Sequence, residues 1–230
     1  MGGSVDWMCI EKADSVHVYA GRNPFTTSDA PTLYMTTTEI YATLDEAAAL
    51  LDTTTPAKDR HFNSTLSRDI LDSCILYDVA LPTLDHPRNY IGVKWCALEV
   101  STRFKSRDFC LLDCSDDFVW SGRRGWARVF HSIELDSCHD MQQCLNLVRG
   151  MSLWSRQRSQ ARCTWHSSTD NRGTVLDWAN DLSVIRRIKA LMDLNAQFQR
   201  HRLTRATFMD VHDVVASSAC ATVRFLHFDP

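Results

Sequence analysis

The side chains best able to do chemistry in this 230-residue sequence are nine cysteines, nine histidines, seven tryptophans, and arginines and acids set inside apolar segments. The cysteines, at 9, 74, 96, 110, 114, 138, 144, 163 and 220, are odd in number and contain no Cys-x-x-Cys pair. They read as reduced, mostly buried thiols rather than a disulfide framework. Cys110 and Cys114 share an apolar, strand-like run, where four residues span about 13 Å, whereas two sulfurs on one zinc must each lie about 2.3 Å from it. They cannot chelate together. Cys138, His139 and Cys144 form a looser group whose ordinary reading is core and surface residues. No metal site and no cofactor is expected. The sequence has no Gly-x-Ser-x-Gly elbow, no Gly-x-x-x-x-Gly-Lys loop and no His-Glu-x-x-His helix. His131 and His166 are the only bases worth testing; no catalytic residue is assigned, and the chain is read as non-enzymatic.

Binding of an apolar ligand is better supplied. A pocket for one needs an apolar wall, aromatic bulk and a few polar groups at one end. Trp95, Phe109, Trp126, Trp178, Leu182 and Ile185 are the candidate wall, and Arg128 the candidate polar contact. Arg107, Asp108, Glu99 and Arg128 can supply a buried polar pair, since an ion taken from water must be partnered. The same side chains would also fill a closed core, and periodicity alone leaves both readings open.

The elements that must position these residues follow from hydrophobic period and turn chemistry. Val16 and Val18 point one way, His17 and Tyr19 the other, and Thr32 to Tyr41 is rich in strand formers, which predicts an early antiparallel pair. Thr43-Leu44-Asp45-Glu46 fits a capping box ahead of a short helix, and Asn63 to Leu71 reads as a second one. Strands are expected at Cys74 to Leu81, Tyr90 to Val100, Arg107 to Cys114 and Trp126 to Leu135, with turns at 82–87 and 115–125. Asp140 to Val148 is a short helix or a crossing loop. From Trp178 to Phe198 apolar residues recur at three- and four-residue steps. A helix from Thr174, with Asp177 a second capping box, to about Arg202 would run roughly 40 Å at about 1.5 Å per residue, long enough to cross a sheet. Strands first and one long amphipathic helix last predict an α+β fold of segregated layers.

Net charge is −3, but it is unevenly spread: residues 1–148 carry thirteen Lys/Arg against twenty-one Asp/Glu, and residues 149–205 carry eleven against four. The basic segment suits an anionic membrane surface, or is a solvated helix face. No nucleic-acid partner is expected. No apolar run approaches the length of a membrane span, and the first residues lack a basic-then-apolar leader, so a cytoplasmic protein is expected.

Motifs narrow the fold. Arg107-Asp108-Phe109 resembles the Arg-Asp-Phe signature of START domains, in which a curved antiparallel sheet grips a long C-terminal helix. Tyr90-Ile91-Gly92-Val93-Lys94-Trp95, Gly122-Arg123-Arg124-Gly125-Trp126, His131-Ser132-Ile133-Glu134-Leu135 and Leu147-Val148-Arg149-Gly150 are similar to a START-like subfamily often joined to a FYVE zinc finger. The resemblance implies a START-like (helix-grip) domain over 7–202 and a linker-like tail over 203–230. Cys220 stands where a finger's first ligand would be, but Val223 occupies the place of the next Cys, and no finger is expected. Three further implications follow. One amphipathic lipid would lie between sheet and helix. Sterol is not carried over, because the buried Arg that sterol-handling members place six residues after the Arg of Arg-Asp-Phe is here Asp113. The polar stretch Met151 to Gly173 is several residues short for the two strands such domains place before the last helix, so a rearranged pocket wall is expected there. The leading function is therefore a lipid-binding module. The alternative is an interaction or regulatory domain with a collapsed pocket that docks on anionic membrane or a protein partner through residues 149–205.

Overall fold

The computed structural model describes residues 5–13, 16–22, 33–99, 105–139, 141–150, 152–159, 162–170 and 192–207. Contacts divide the chain into two compact units, Met1–Phe198 and Gln199–Pro230. In the first unit the chain order is β1 (Asp6–Ala13), β2 (Val16–Arg22), β3 (Leu33–Glu39), α1 (Leu44–Leu50), α2 (Pro56–Thr65), β4 (Ile70–Ala80), β5 (Tyr90–Leu98), β6 (Arg107–Trp120), β7 (Arg123–Ser132), α3 (Gln142–Leu145), β8 (Val148–Arg149), β9 (Ser152–Ser159) and β10 (Arg162–Asp170). Helix α4 (Leu194–Arg205) begins in this unit. The described residues of the second unit are the rest of α4 with Ala206 and Thr207.

The ten strands among the described residues belong to one sheet, in the order β1-β2-β3-β10-β9-β7-β6-β5-β4, with two-residue β8 beside β6. Every pairing is antiparallel except β6 with β8. The early pair is present as β2 and β3, with Val16 and Val18 buried. The stretch 151–173, expected to be too short for two strands, holds β9 and β10, which join the early strands to the later ones. Only two residues separate them, neither of them glycine or proline, so the usual sequence mark of a turn is missing.

Local chemistry accounts for the helices. Thr43 and Glu46 form the capping box of α1: the Glu46 amide donates to Thr43 Oγ1 at 3.2 Å and the Thr43 amide to Glu46 Oε2 at 2.8 Å. The second short helix lies earlier than Asn63 to Leu71. Thr55 caps α2 and Pro56 occupies its first turn, the position where a missing N–H costs nothing, while Ile70 already starts β4. Helix α4 is anchored at its start, because Asn195 accepts from the Tyr41 amide and donates to the Glu39 carbonyl, each at 3.0 Å. Leu194 and Phe198 pack with Ile40, Leu50, Leu51, Phe62, Leu66 and Trp126 in the largest described core cluster.

Two features set the limits of the sheet. The turn expected over 115–125 is much tighter, since β6 runs on to Trp120 and β7 starts at Arg123. Ser121 and Gly122 alone connect them, both at positive φ, 49° and 74°. That pattern suits a type I′ turn, whose twist matches the flanking strands. At the edge, β4 pairs with β5 through three register irregularities, between Ile70 and Asp72, Ile75 and Tyr77, and Asp78 and Ala80.

Asn is favoured over Ser at the first position of such a turn. Ser121→Asn should therefore raise stability by about 0.5 kcal/mol, while Gly122→Val, forced to positive φ with a β-branched side chain, should lower it by roughly 1–2 kcal/mol. Urea melts of the two variants check this, and equal midpoints would contradict the turn geometry.

Candidate functional site: a buried charge cluster beside an apolar cavity

Alternation along β5, β6 and β7 puts Lys94, Asp113 and Arg128 on the same face of three neighbouring strands. All three are buried, Asp113 at 0% exposure, Arg128 at 3% and Lys94 at 4%. Asp59 from α2 and Thr53 from the α1–α2 connection close over them, at 7% and 3%. Arg128 holds Asp113 in a two-pronged contact, Nε to Oδ1 at 2.9 Å and Nη2 to Oδ2 at 2.7 Å, and donates through Nη1 to the Leu51 carbonyl at 2.7 Å. Lys94 Nζ lies 2.9 Å from Asp113 Oδ2 and 3.3 Å from Asp59 Oδ1, and donates to the Thr53 carbonyl at 2.7 Å. Thr53 Oγ1 touches both cations. Asp59 is held in turn by the Ser73 hydroxyl and by Asn63 Nδ2 at 3.2 Å. The Arg128 guanidinium sits 4.2 Å from the Phe130 ring centre and 5.4 Å from that of Phe62, a stacked position that a planar cation tolerates out of water.

The electrostatics follow from this packing. Burial pushes the Asp113 carboxyl up, but Arg128 and then Lys94 outweigh it and hold the carboxyl below the usual carboxylate range. Burial, and then the like charge of Arg128, push the Lys94 ammonium below its ordinary value against the pull of Asp113 and Asp59. With Lys94 and Arg128 cationic and Asp59 and Asp113 anionic, the four charges cancel.

A cavity of ≈ 80 Å³ opens on this cluster, with Ile70, Leu98, Leu111 and Phe130 on its apolar side and Asp59, Asn63, Ser73, Lys94 and Arg128 on its polar side. A second space of ≈ 270 Å³ lies toward α1 and the 82–90 turn and touches Arg88, Tyr90, Asp113, Trp126 and Arg128. Arg88 there is held by Asp117 through Nε at 2.7 Å and Nη2 at 2.6 Å, and touches Asp45.

The residues singled out in the sequence separate in space. Arg128 touches both spaces, and Trp126 the larger one. Trp95 borders the smaller cavity, but its indole turns to the opposite face of the sheet and donates to Asp108 Oδ2 at 3.1 Å. Phe109 lines neither space. It is packed with Cys96, Leu98 and Leu111, and Gly150 approaches its ring so closely that a Cβ there would lie 2.0 Å from it. Trp178, Leu182 and Ile185 lie outside the described residues. The expected buried pair exists with other partners: Arg128 binds Asp113, and Asp108 binds Arg149 at 3.0 Å. Sequence reasoning missed Lys94, Asp59 and Thr53 and met Asp113 only as a departure from a motif. The available signal was phase, since Lys94 shares a face with Cys96 and Leu98, and Asp113 with Phe109 and Leu111. The thiols are less buried than expected: of the seven whose side chains are described, Cys96, Cys110 and Cys138 are buried, and Cys9, Cys74 and Cys144 are exposed. Among the described residues no group of three or more His, Cys, Asp or Glu is placed to hold a metal ion.

Asp113→Asn leaves two buried cations with one carboxylate and should cost about 3–5 kcal/mol, whereas adding Lys94→Met restores the balance and should recover much of that loss. The Asp113 carboxyl titrates lower folded than unfolded. Its contribution is complete above the unfolded value of about 3.9 and is lost as pH falls through the folded one. Stability of the parent chain should thus drop in acid below about pH 4, with this component absent from Asp113→Asn; urea midpoints across pH 2–6 measure both effects.

No protein-family model matches the sequence, and no curated protein matches it. Solved structures do match. The human StarD13 (DLC2) lipid transfer and protein localization domain superposes with a TM-score of 0.58 at 16% identity, over 82% of this chain and 91% of that one. Human StAR-related lipid transfer protein 5 gives 0.59 at 13% identity, over 85% and 88%, and human STARD10 gives 0.56 at 14%, over 86% and 78%. With its antiparallel sheet and C-terminal helix, the chain has a START-like α+β fold of the helix-grip type.

Proposed function

We propose that this chain is a non-enzymatic lipid-binding module that holds one amphipathic lipid between its sheet and its C-terminal helix, with the head of the lipid at the Lys94–Asp113–Arg128 cluster. The observation that carries the reading is the cavity of ≈ 80 Å³, apolar on one side and hydrogen-bonding on the other, inside a fold shared with the StarD13 lipid transfer and protein localization domain and StAR-related lipid transfer protein 5. Trp178, Leu182 and Ile185 complete the apolar wall in this reading, and Arg128 is the polar contact. The ligand head is uncharged. Both buried cations are already matched by Asp59 and Asp113, so an anionic head would enter without a counter-charge, and an unpaired buried ion is costly. A hydroxyl or amide head needs only hydrogen bonds. The protein works in the cytoplasm and meets anionic membrane through basic residues 149–205. None of the described helices is long and apolar enough to cross a membrane.

The second reading, an interaction or regulatory domain with a collapsed pocket that docks through the same basic residues, is favoured by one observation. A lipid chamber needs at least about 300 Å³, and the two spaces described beside the cluster are each smaller, ≈ 80 Å³ and ≈ 270 Å³.

Hexadecanol and hexadecanoate share a tail and differ in head charge. Native mass spectrometry of the chain mixed with each should show a one-to-one complex, with hexadecanol retained at least tenfold over hexadecanoate. Leu111→Trp should abolish the complex with the fold intact by circular dichroism. Preference for hexadecanoate would sink the uncharged head. Retention of neither lipid, together with a Leu111→Trp destabilisation of about 1–3 kcal/mol from overpacking, would establish the collapsed pocket instead.

A further inference from the structure

On the face of the sheet opposite the charge cluster, residues 133–150 cross over β5 and β6. Ile133, Leu135, Met141 and Leu147 pack on Val93, Trp95, Ala97 and Leu112, and the cluster includes two buried thiols, Cys110 of β6 and Cys138 of the crossing segment. Both thiols belong to this one buried cluster, and after burial Cys138 is the largest influence raising the Cys110 thiol. Arg149 binds the segment around Cys138, donating to the Cys138 carbonyl at 3.0 Å and the His139 carbonyl at 2.6 Å, and both of its terminal nitrogens lie 3.9 Å from the Cys138 sulfur. Arg149 also pairs with Asp108, which shares a face of β6 with Cys110. Asp108 is 0% exposed, and its Oδ1 is the one buried side-chain oxygen or nitrogen among the described residues with no hydrogen-bond partner. A buried carboxylate oxygen without a partner, two residues along β6 from a buried thiol, can accept a proton.

We propose that Cys110 and Cys138 are a disulfide-forming pair oxidised by a hydroperoxide, with Asp108 as the proton acceptor for Cys110. Cys138, at 8% exposure against 1% for Cys110, is the sulfur a small peroxide reaches first. Cys138 gives up its proton to solvent, its thiolate attacks one peroxide oxygen, the O–O bond breaks, and Cys138 becomes a sulfenic acid while the leaving alkoxide or hydroxide takes up the proton released, as alcohol or water. The Arg149 guanidinium supports the negative charge on sulfur during that attack. Burial, and then Cys138, push the Cys110 thiol up to about 12, so it stays protonated until a base is adjacent. As the Cys110 sulfur bonds to the Cys138 sulfur its proton passes to Asp108 Oδ1, the S–OH bond breaks, and the departing hydroxide recovers that proton from Asp108 as water. Two thiols are oxidised and one peroxide is reduced by two electrons. The product staples the 133–150 segment to β6. The proposal does not depend on lipid binding.

The test is oxidation of the reduced full chain with a few equivalents of hydrogen peroxide, alkylation of the remaining thiols, and peptide mapping without reductant. A Cys110–Cys138 linked peptide, reversed by dithiothreitol and absent from Cys138→Ser, is expected. Dimedone added with the peroxide should trap little sulfenic acid in the parent and at least tenfold more in Asp108→Asn and in Cys110→Ser. Linkage of Cys138 to exposed Cys74 or Cys144 instead, or oxidation confined to Cys9, Cys74 and Cys144, would overturn the pairing. Closure in Asp108→Asn at the parent rate would overturn the role of Asp108. Should that variant not fold, Asp108→Glu, which keeps the carboxylate, decides the role: its dimedone trapping must stay near the parent's low level, and trapping at the Cys110→Ser level is the contrary result.

Discussion

Taking Lys94, Arg128, Asp59 and Asp113 out of water is unfavourable by several kcal/mol per ion until they are paired, so each element that carries or caps one of them is fixed relative to the others. Three come from neighbouring strands and one from α2, and Thr53 joins them through both its carbonyl and its hydroxyl. The short connection between α1 and α2 is thereby tied to the sheet, and α1 reaches the cluster through the Leu51 carbonyl. Packing alone tolerates small slides of a helix over apolar side chains. A desolvated ion with a matched partner tolerates almost none, because a shift exposes one charge to an apolar neighbour.

The two faces of the central strands are thus organised around different ion groups. One holds the balanced quartet and the cavity. The other holds Asp108, Arg149 and the thiols under the 133–150 segment. Adjacent residues, Lys94 and Trp95 on β5 and Asp108 and Phe109 on β6, serve opposite faces, so each strand carries both arrangements in alternate positions. This is why a single strand motif such as Arg107-Asp108-Phe109 holds residues with unrelated partners.

Much of the architecture is legible in the sequence. The capping box at Thr43 and Glu46 is a local device whose partners are three residues apart, and strand alternation from Val16 to Val18 reports burial directly, whereas β5 is buried on both faces. The strands β9 and β10 are not legible, because Ser, Thr and Arg dominate them and their placement is decided by partners far away in sequence, Thr37 and Val129 among them. The charge cluster is the least legible. Lys94 and Asp113 look like solvated residues when read singly, and only the pairing of Lys94 with Leu111 and of Asp113 with Phe130 shows that they meet. Trp95 shows the converse, since a tryptophan on an apolar strand invites assignment to a pocket, and alternation carries it to the other face, where it donates to Asp108.

The broken register of β4 has a further consequence. As the last strand of the sheet it carries exposed Leu71, Tyr77 and Val79, a composition that on a flat edge would template the strand of another molecule. Its three irregularities interrupt the ladder of free N–H and C=O groups at short intervals, and Asp72 and Asp78 sit at two of them. A foreign strand laid along it would lose alignment before it gathered enough consecutive bonds to hold. The sheet can keep oily side chains on its rim without growing into a fibril.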